Sequence, residues 1–180
     1  MTPKLNGLIG VEPKKLIGIA PFAAYTSKMY PLGLMAEVIR ELDRLDKYRI
    51  FLFGGGKQEI KQLQNMEHPF ANVSNVAGKL TFEEELALIS NLDLMLSMDS
   101  GNGHMAAMYG VPVITLWGVT HPYAGFVPFN QPISNQLLAD RNQYPLIPTS
   151  IYGNKFPKEY SEVMKTILPE TVVSKIREIL

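Results

Sequence analysis

The sequence of 180 residues contains no cysteine, which excludes disulfide bonds, thiolate chemistry and cysteine-ligated metal sites. It has no surplus of either charge, because 17 Lys and Arg residues balance 17 Asp and Glu residues. Since a non-specific grip on nucleic acid needs a basic surplus, nucleic acid is not an expected partner. His68, His104 and His121 lack the spacing of metal ligands, so no metal site is predicted.

Long hydrophobic runs are also missing. No apolar stretch approaches the roughly 20 residues that a helix needs to cross a bilayer. The opening MTPKLNGLIGVEPKK lacks the apolar core of a signal peptide, so the expected compartment is the cytoplasm. With 46% hydrophobic and 19% charged residues, the composition suits one folded domain with a substantial core.

Apolar runs of strand length alternate with helical patterns over the first 118 residues. The runs are apolar throughout, which is typical of strands covered on both faces. This alternation predicts an α/β fold with a doubly wound parallel sheet, a Rossmann-like architecture. The predicted strands are residues 16–20, 48–53, 73–76, 92–98 and 113–117.

The two ends of the chain differ from this pattern. Residues 1–14 are predicted to be an irregular tether, because prolines and glycines interrupt any period, and residues 15–180 are predicted to form a single domain. The proline- and aromatic-rich segment 120–156 is expected to be a long ordered loop with a short strand near 133–138. Two helices, residues 157–167 and 169–180, are predicted to close the chain.

The strongest candidate site is the polar turn from Asp99 to His104, which follows a buried strand and opens a small-residue helix. Ligands of open α/β sheets bind beyond the carboxyl ends of strands, where a helix start offers N–H groups to an anion. One interpretation places phosphate oxygens on the N–H groups of residues 100–103, with Asp99 holding a sugar hydroxyl. The other is a capped turn in which Asp99 or Ser100 accepts from the backbone and His104 fills space.

Two further positions have open alternatives. Lys28 lies in a strand-to-helix loop at the same predicted sheet edge, where it could neutralise a diphosphate. The alternative is an ordinary solvated lysine, whose removal should hardly affect stability. Glu59 follows three glycines and could accept from ribose hydroxyls, or it could be an exposed side chain of a plain turn. His68 and His121 are expected at the surface.

Five segments in this order resemble glycosyltransferase family 9, the ADP-heptose:lipopolysaccharide heptosyltransferases. They are IGIAPFAAYTSKMYP, FGGGKQE, VAGKLTFEE, MDSGNGHMAAMYGVPVITLWGVTHP and MKTILPETV. The specific part is Asp-Ser/Thr-Gly-x-x-His-x-Ala-Ala followed by Gly-x-Pro and Gly-x-Thr-x-Pro. One departure is Tyr30, which stands where the family usually has tryptophan.

The resemblance implies roles for individual residues. Lys28 matches the lysine that meets the donor phosphates, and Ala23 and Ala24 take the small or hydroxylic positions of the phosphate loop. Glu59 falls near the ribose-binding acid, and Leu80 lies where an apolar side chain packs on the adenine.

The remaining residues with implied roles lie in and after the central motif. Thr120 lies in the loop that closes the pocket. Five residues match those that surround the diphosphate and the sugar in the family: Asp99, Ser100, Gly101, Gly103 and His104. Lys28 and Asp99 are the implied catalytic pair, positioning the donor and the leaving group.

The resemblance implies the donor-binding half of an inverting enzyme built from two Rossmann-like domains. Such an enzyme would move a heptose or related sugar from an ADP-sugar to a lipid-linked saccharide of the lipopolysaccharide type, without a cofactor or metal. The catalytic base and the acceptor site would lie in an N-terminal domain outside this chain, through which the enzyme could attach to the inner membrane. Two alternatives remain at this point: a non-catalytic nucleotide-binding module and a nucleotide-sugar epimerase-like domain.

Overall fold

One sheet of parallel strands forms the centre of the protein in the computed structural model, which describes residues 2–180. The strands are β1 (Lys15–Ala20), β2 (Tyr48–Leu52), β3 (Val73–Asn75), β4 (Leu94–Met98), β5 (Val113–Trp117) and β6 (Gln136–Leu138). Their order across the sheet is β3-β2-β1-β4-β5-β6. The predicted doubly wound, Rossmann-like α/β fold is therefore confirmed.

Helices cover both faces of this sheet. They are α1 (Pro3–Ile9), α2 (Leu32–Arg44), α3 (Gly56–Glu67), α4 (Phe82–Ile89), α5 (Gly101–Met108) and α6 (Pro169–Ile179). On one face, apolar side chains of α2, α3 and α6 share a buried cluster with Ile17 and Ile19 of β1. On the other, those of α1, α4 and α5 pack with Phe51 and Met95. Burial on both faces explains why the central strands are apolar throughout.

Helix α4 begins with the capping box that the sequence predicts. The Thr81 hydroxyl accepts from the backbone N–H of Glu84, and the Glu84 carboxylate accepts from the backbone N–H of Thr81 at 2.9 Å. Two otherwise unpaired backbone donors are thereby satisfied, which fixes where the helix starts. None of the helices in residues 2–180 is long and apolar enough to span a membrane.

Two local predictions were wrong. The expected irregular tether contains helix α1, in which the Thr2 hydroxyl accepts from the Leu5 N–H and the Leu5 side chain is fully buried. Met1 lies outside the described residues, and a linking role for residues 1–14 stays a prediction. The helix expected over 157–167 is replaced by two short 3₁₀ turns, Lys158–Tyr160 and Val163–Thr166, because Tyr160 and Val163 pack into a separate small cluster with Val119.

Strands β1 and β4 are neighbours at the middle of the sheet, and the connections that leave them run in opposite directions. In an open parallel sheet this is the topological switch point, where the loops diverge and leave a crevice at the carboxyl edge. The loop after β1 carries Lys28, and the turn after β4 carries Asp99. The fold therefore brings the two predicted catalytic residues to the same crevice.

Candidate functional site at the switch point of the sheet

An ion pair between Lys28 and Asp99 lies at the centre of this crevice. The Lys28 Nζ is 2.7 Å from Asp99 Oδ2, and only 12% and 6% of the two side chains are exposed. The Thr120 hydroxyl, in the loop after β5, lies 3.4 Å from the same carboxylate oxygen. The structure thus brings together three of the predicted site residues, which are far apart in the sequence.

The burial of Lys28 contradicts the alternative of a solvated loop lysine. Its aliphatic stem packs against Gly153, where an added Cβ would lie 2.7 Å from Lys28 Cδ. The expectation that removing Lys28 hardly affects stability assumed an exposed lysine. Because Asp99 would be left nearly buried without its partner, we expect a loss of stability instead.

Helix α5 starts directly after Asp99 and has no side-chain cap in the described structure. Its N-cap residue is Ser100, whose Oγ lies 3.4 Å from Ser97 Oγ, while Asp99 is engaged by Lys28 and Thr120. The capped-turn interpretation is therefore wrong. The first N–H groups of a helix that lacks a cap can bind an anion, and Lys28 supplies a cation nearby.

The two glycines of α5 have different surroundings. A Cβ at Gly101 would meet nothing within 4 Å, so this position is open to solvent or to a ligand. A Cβ at Gly103 would lie 2.8 Å from Ser97 Oγ, so Gly103 allows the helix to pack closely on β4. His104 is half-buried on the same helix. Roles of Gly101, Gly103 and His104 in binding stay predictions.

A cleft of about 430 Å³ opens at the same carboxyl edge of the sheet, between the loops after β1 and β2 and the start of α5. Three predicted binding residues line it, namely Ala23, Ala24 and Glu59, while Leu80 is absent from the lining. Leu80 instead packs against the cluster that α1, α4 and α5 share. The remaining lining residues are Ala20, Phe22, Phe53, Gly54, Gly55, Glu85, Asn102 and Met105.

Glu59 is half-buried rather than an exposed side chain. Its carboxylate accepts a hydrogen bond from the backbone N–H of Gly55 at 2.8 Å, which satisfies a donor at the start of α3. This contact fixes the carboxylate at the edge of the cleft. A ribose-binding role for Glu59 stays a prediction.

A larger cavity, of about 610 Å³, lies elsewhere, between α2 and α3. Side chains of these two helices line it, including Ala36, Arg40 and Met66. Ligands of open parallel sheets bind at the carboxyl ends of strands, and of these two cavities the smaller cleft lies there. The smaller cleft and the Lys28–Asp99 ion pair, at the same edge of the sheet, are therefore the candidate functional site.

Comparison with known proteins identifies the family of this chain. The family model for glycosyltransferase family 9 (heptosyltransferase) matches residues 4–158. The chain belongs to this family. Lipooligosaccharide heptosyltransferase 2 of Haemophilus influenzae is 31% identical over 186 aligned residues, which cover 98% of this chain and 50% of that protein.

Solved structures of family 9 proteins share the fold. The glycosyl transferase of family 9 from Veillonella parvula superposes with a TM-score of 0.75 at 20% identity, covering 98% of this chain and 49% of that one. The E. coli heptosyltransferase WaaC with ADP gives 0.70 at 19% identity, covering 95% and 46%. This family 9 chain spans about half the length of the curated relatives it matches.

Glu85 is a residue of the candidate site that sequence reasoning missed. It lines the cleft from helix α4. Burial raises the pKa of its carboxyl, and a hydrogen bond with the Asn102 side chain lowers it by less. One sequence signal was available: Glu85 precedes the buried Leu88 and Ile89 by three and four residues, so it lies on the inward face of the helix. Three consecutive glutamates, residues 83–85, obscured that signal.

The histidines His68 and His121 differ in burial. His68 is exposed as expected, whereas His121 is 5% exposed, so its predicted surface position was wrong. Burial and the nearby Arg141 lower the His121 pKa, and its Nδ1 accepts from the Tyr123 N–H at 3.2 Å. Within residues 2–180, no three His, Asp or Glu side chains are grouped so that they could hold a metal ion.

Proposed function

We propose that this chain is the donor-binding domain of an inverting glycosyltransferase that uses an ADP-sugar, with a heptose or related sugar as the group transferred. The observation that carries the proposal is the Lys28–Asp99 ion pair, at 2.7 Å, beside the uncapped start of α5. Membership of a heptosyltransferase family supports it, as do relatives named lipooligosaccharide heptosyltransferases and a structural neighbour solved with ADP.

The diphosphate is placed between the Lys28 ammonium group and the N–H groups that begin at Ser100 and Gly101. A cation and a helix start aimed at the leaving group stabilise the charge that develops there during transfer. Ala23 and Ala24 offer backbone without side-chain bulk in the cleft beside it. Glu59 is placed at the ribose, and Leu80 at the edge of the adenine.

The proposed reaction is a direct displacement at the anomeric carbon. An acceptor hydroxyl oxygen forms the new bond to that carbon as the bond to the phosphate oxygen breaks, and ADP departs with the electron pair. The proton of the acceptor hydroxyl goes to a base outside this chain. Lys28 neutralises the departing diphosphate, and Asp99 orients the sugar through a hydroxyl, with Thr120 closing the pocket.

The partner that completes the enzyme is an N-terminal domain carrying the base and the site for a lipid-linked saccharide of the lipopolysaccharide type. The half-length match to the curated relatives supports this division. Residues 1–14 are the proposed end of the connection between the two domains. Cytoplasmic location, with attachment to the inner membrane through that other domain, belongs to the same proposal.

This chain should bind ADP without a divalent metal and should transfer no sugar by itself. Lys28 and backbone N–H groups provide the neutralisation that a metal would otherwise supply, and the base lies elsewhere. Isothermal titration with ADP, in the presence and absence of EDTA, is expected to give the same Kd.

Loss of ADP affinity in EDTA would contradict metal-independent binding. Sugar transfer by the chain alone would contradict a catalytic base in another domain. An upstream domain unrelated to this fold would favour the non-catalytic nucleotide-binding module.

A further inference from the structure

A short segment of the long loop, residues 149–155, forms a closed strap over the site. The Thr149 hydroxyl donates to the Lys155 carbonyl at 2.8 Å, and the Lys155 N–H donates to Ser150 Oγ at 3.2 Å. The strap is fixed to the connection after β5, because the Thr149 N–H donates to the Val119 carbonyl at 3.0 Å. These bonds hold the strap in one place relative to the sheet edge.

The strap contacts the surroundings of the Lys28–Asp99 pair at three places. An added Cβ at Gly153 would lie 2.7 Å from Lys28 Cδ, 2.8 Å from Lys28 Cγ and 3.2 Å from Thr120 Cγ2. The hydroxyl of Ser27, which is only 5% exposed, donates to the Gly153 carbonyl. The strap backbone therefore confines the lysine stem on one side, and Ser27 holds the strap in that position.

We propose that Gly153 and Ser27 are positioning residues for Lys28, which fix its ammonium group where the donor diphosphate binds. A lysine stem that is free in solution loses rotamer entropy when the ammonium group binds a ligand. A stem already confined by the strap has lost that freedom on folding. Gly153 has a φ of +78° and no room for a side chain, so its identity matters both for the backbone and for the contact. This inference depends on the proposed function for its ligand, but the confinement of Lys28 can be measured without one.

The test is Gly153→Ala, with Gly125→Ala as its matched control. Gly125 also has a positive φ, +92°, and lies in the same long loop, but a Cβ there would meet nothing within 4 Å. Both variants carry the same type of backbone strain, and only Gly153→Ala pushes on Lys28. We expect Gly153→Ala to weaken ADP binding about tenfold or more while adenosine affinity is unchanged, because only the charge-assisted contact to the phosphates is misplaced. Gly125→Ala should bind both ligands like the wild type.

Two companion measurements exclude a merely structural effect. In a Lys28→Met background, Gly153→Ala should cause no further loss of ADP affinity, since the group being positioned is already absent. The ¹⁵N NMR signal of the Lys28 ammonium group, assigned by its disappearance in Lys28→Met, should shift in Gly153→Ala and stay in place in Gly125→Ala. If Gly153→Ala does not fold, Ser27→Ala takes its place, because it removes the hydrogen bond to the strap without adding atoms.

The outcomes separate this inference from the function proposed above. An unmoved Lys28 signal in the strap variants would overturn the positioning role, whether or not ADP binds. An equal loss of ADP and adenosine affinity would overturn it too, because that pattern shows general damage to the cleft. If the wild type fails to bind ADP while the Lys28 signal still moves, the positioning of Lys28 stands and the donor-binding proposal fails.

Discussion

Replacing Lys28 by alanine is expected to weaken ADP binding about 10- to 150-fold. The estimate follows from one charge-assisted contact of about 1.5–3 kcal/mol and about 1.4 kcal/mol per tenfold change in Kd. Isothermal titration with ADP measures the effect. Lys15→Ala is the matched control, because Lys15 also forms an ion pair, with Asp93 at 2.8 Å, but its side chain is 53% exposed at the opposite end of β1. The control should bind ADP like the wild type.

The same substitution is expected to destabilise the fold by about 2–4 kcal/mol, which lies between the cost of an unsatisfied polar group and that of a broken buried ion pair. The reason is that Asp99, with 6% of its side chain exposed, loses its partner. Urea unfolding measures this change. The double variant Lys28→Met/Asp99→Asn removes both charges and should recover most of the stability without recovering ADP affinity. Unchanged ADP affinity in a folded Lys28→Ala would show that the lysine is not part of the donor site.

Replacing Asp99 by asparagine is expected to affect the binding of the ADP-sugar and the binding of ADP differently. ADP should bind as well as to the wild type or up to about tenfold better, because a negative charge beside the phosphates is removed and Lys28 loses its competing partner. The ADP-sugar should lose the charge-assisted bond to a sugar hydroxyl, so its affinity relative to that of ADP should fall about 10- to 150-fold. Titrations of both ligands give this ratio directly.

The control for Asp99→Asn is Asp93→Asn, which removes another ion-paired carboxylate. Asp93 accepts from Lys15 Nζ and from the Leu16 N–H at the other end of the sheet. Asp93→Asn should leave the affinities for ADP and for the ADP-sugar unchanged. A parallel loss of ADP and ADP-sugar affinity in Asp99→Asn would contradict a specific contact with the sugar and would assign Asp99 to holding Lys28 alone.

Much of the fold was predictable because each strand carries its own signal. A short run such as residues 113–117, apolar on both faces, is typical of a strand buried in a parallel sheet, and the prediction agrees with β5 to the residue. The proximity of Lys28 and Asp99 followed from topology, since the carboxyl ends of parallel strands share one edge of the sheet. Neither prediction required knowledge of a particular side-chain contact between distant parts of the chain.

The predictions that were wrong share one physical cause, which is tertiary contact with distant parts of the chain. Lys28 is buried by a strap whose Gly153 lies 126 residues after Ser27, and no local pattern indicates that contact. Helix α1 contains Gly7, and its burial of Leu5 depends on the sheet that forms later in the chain. The 157–167 segment has helical spacing, but the Tyr160 hydroxyl accepts from the Leu146 N–H and Tyr160 packs on Tyr144, which fixes the segment by contacts outside itself.

The most direct test of the donor site is a crystal structure of this chain with ADP. We expect the diphosphate within hydrogen-bonding distance of Lys28 Nζ and of the N–H groups that begin α5, with the ribose beside Glu59 in the cleft of about 430 Å³. This expectation would be contradicted by ADP bound in the larger cavity between α2 and α3, near Arg40, with the Lys28–Asp99 pair unchanged.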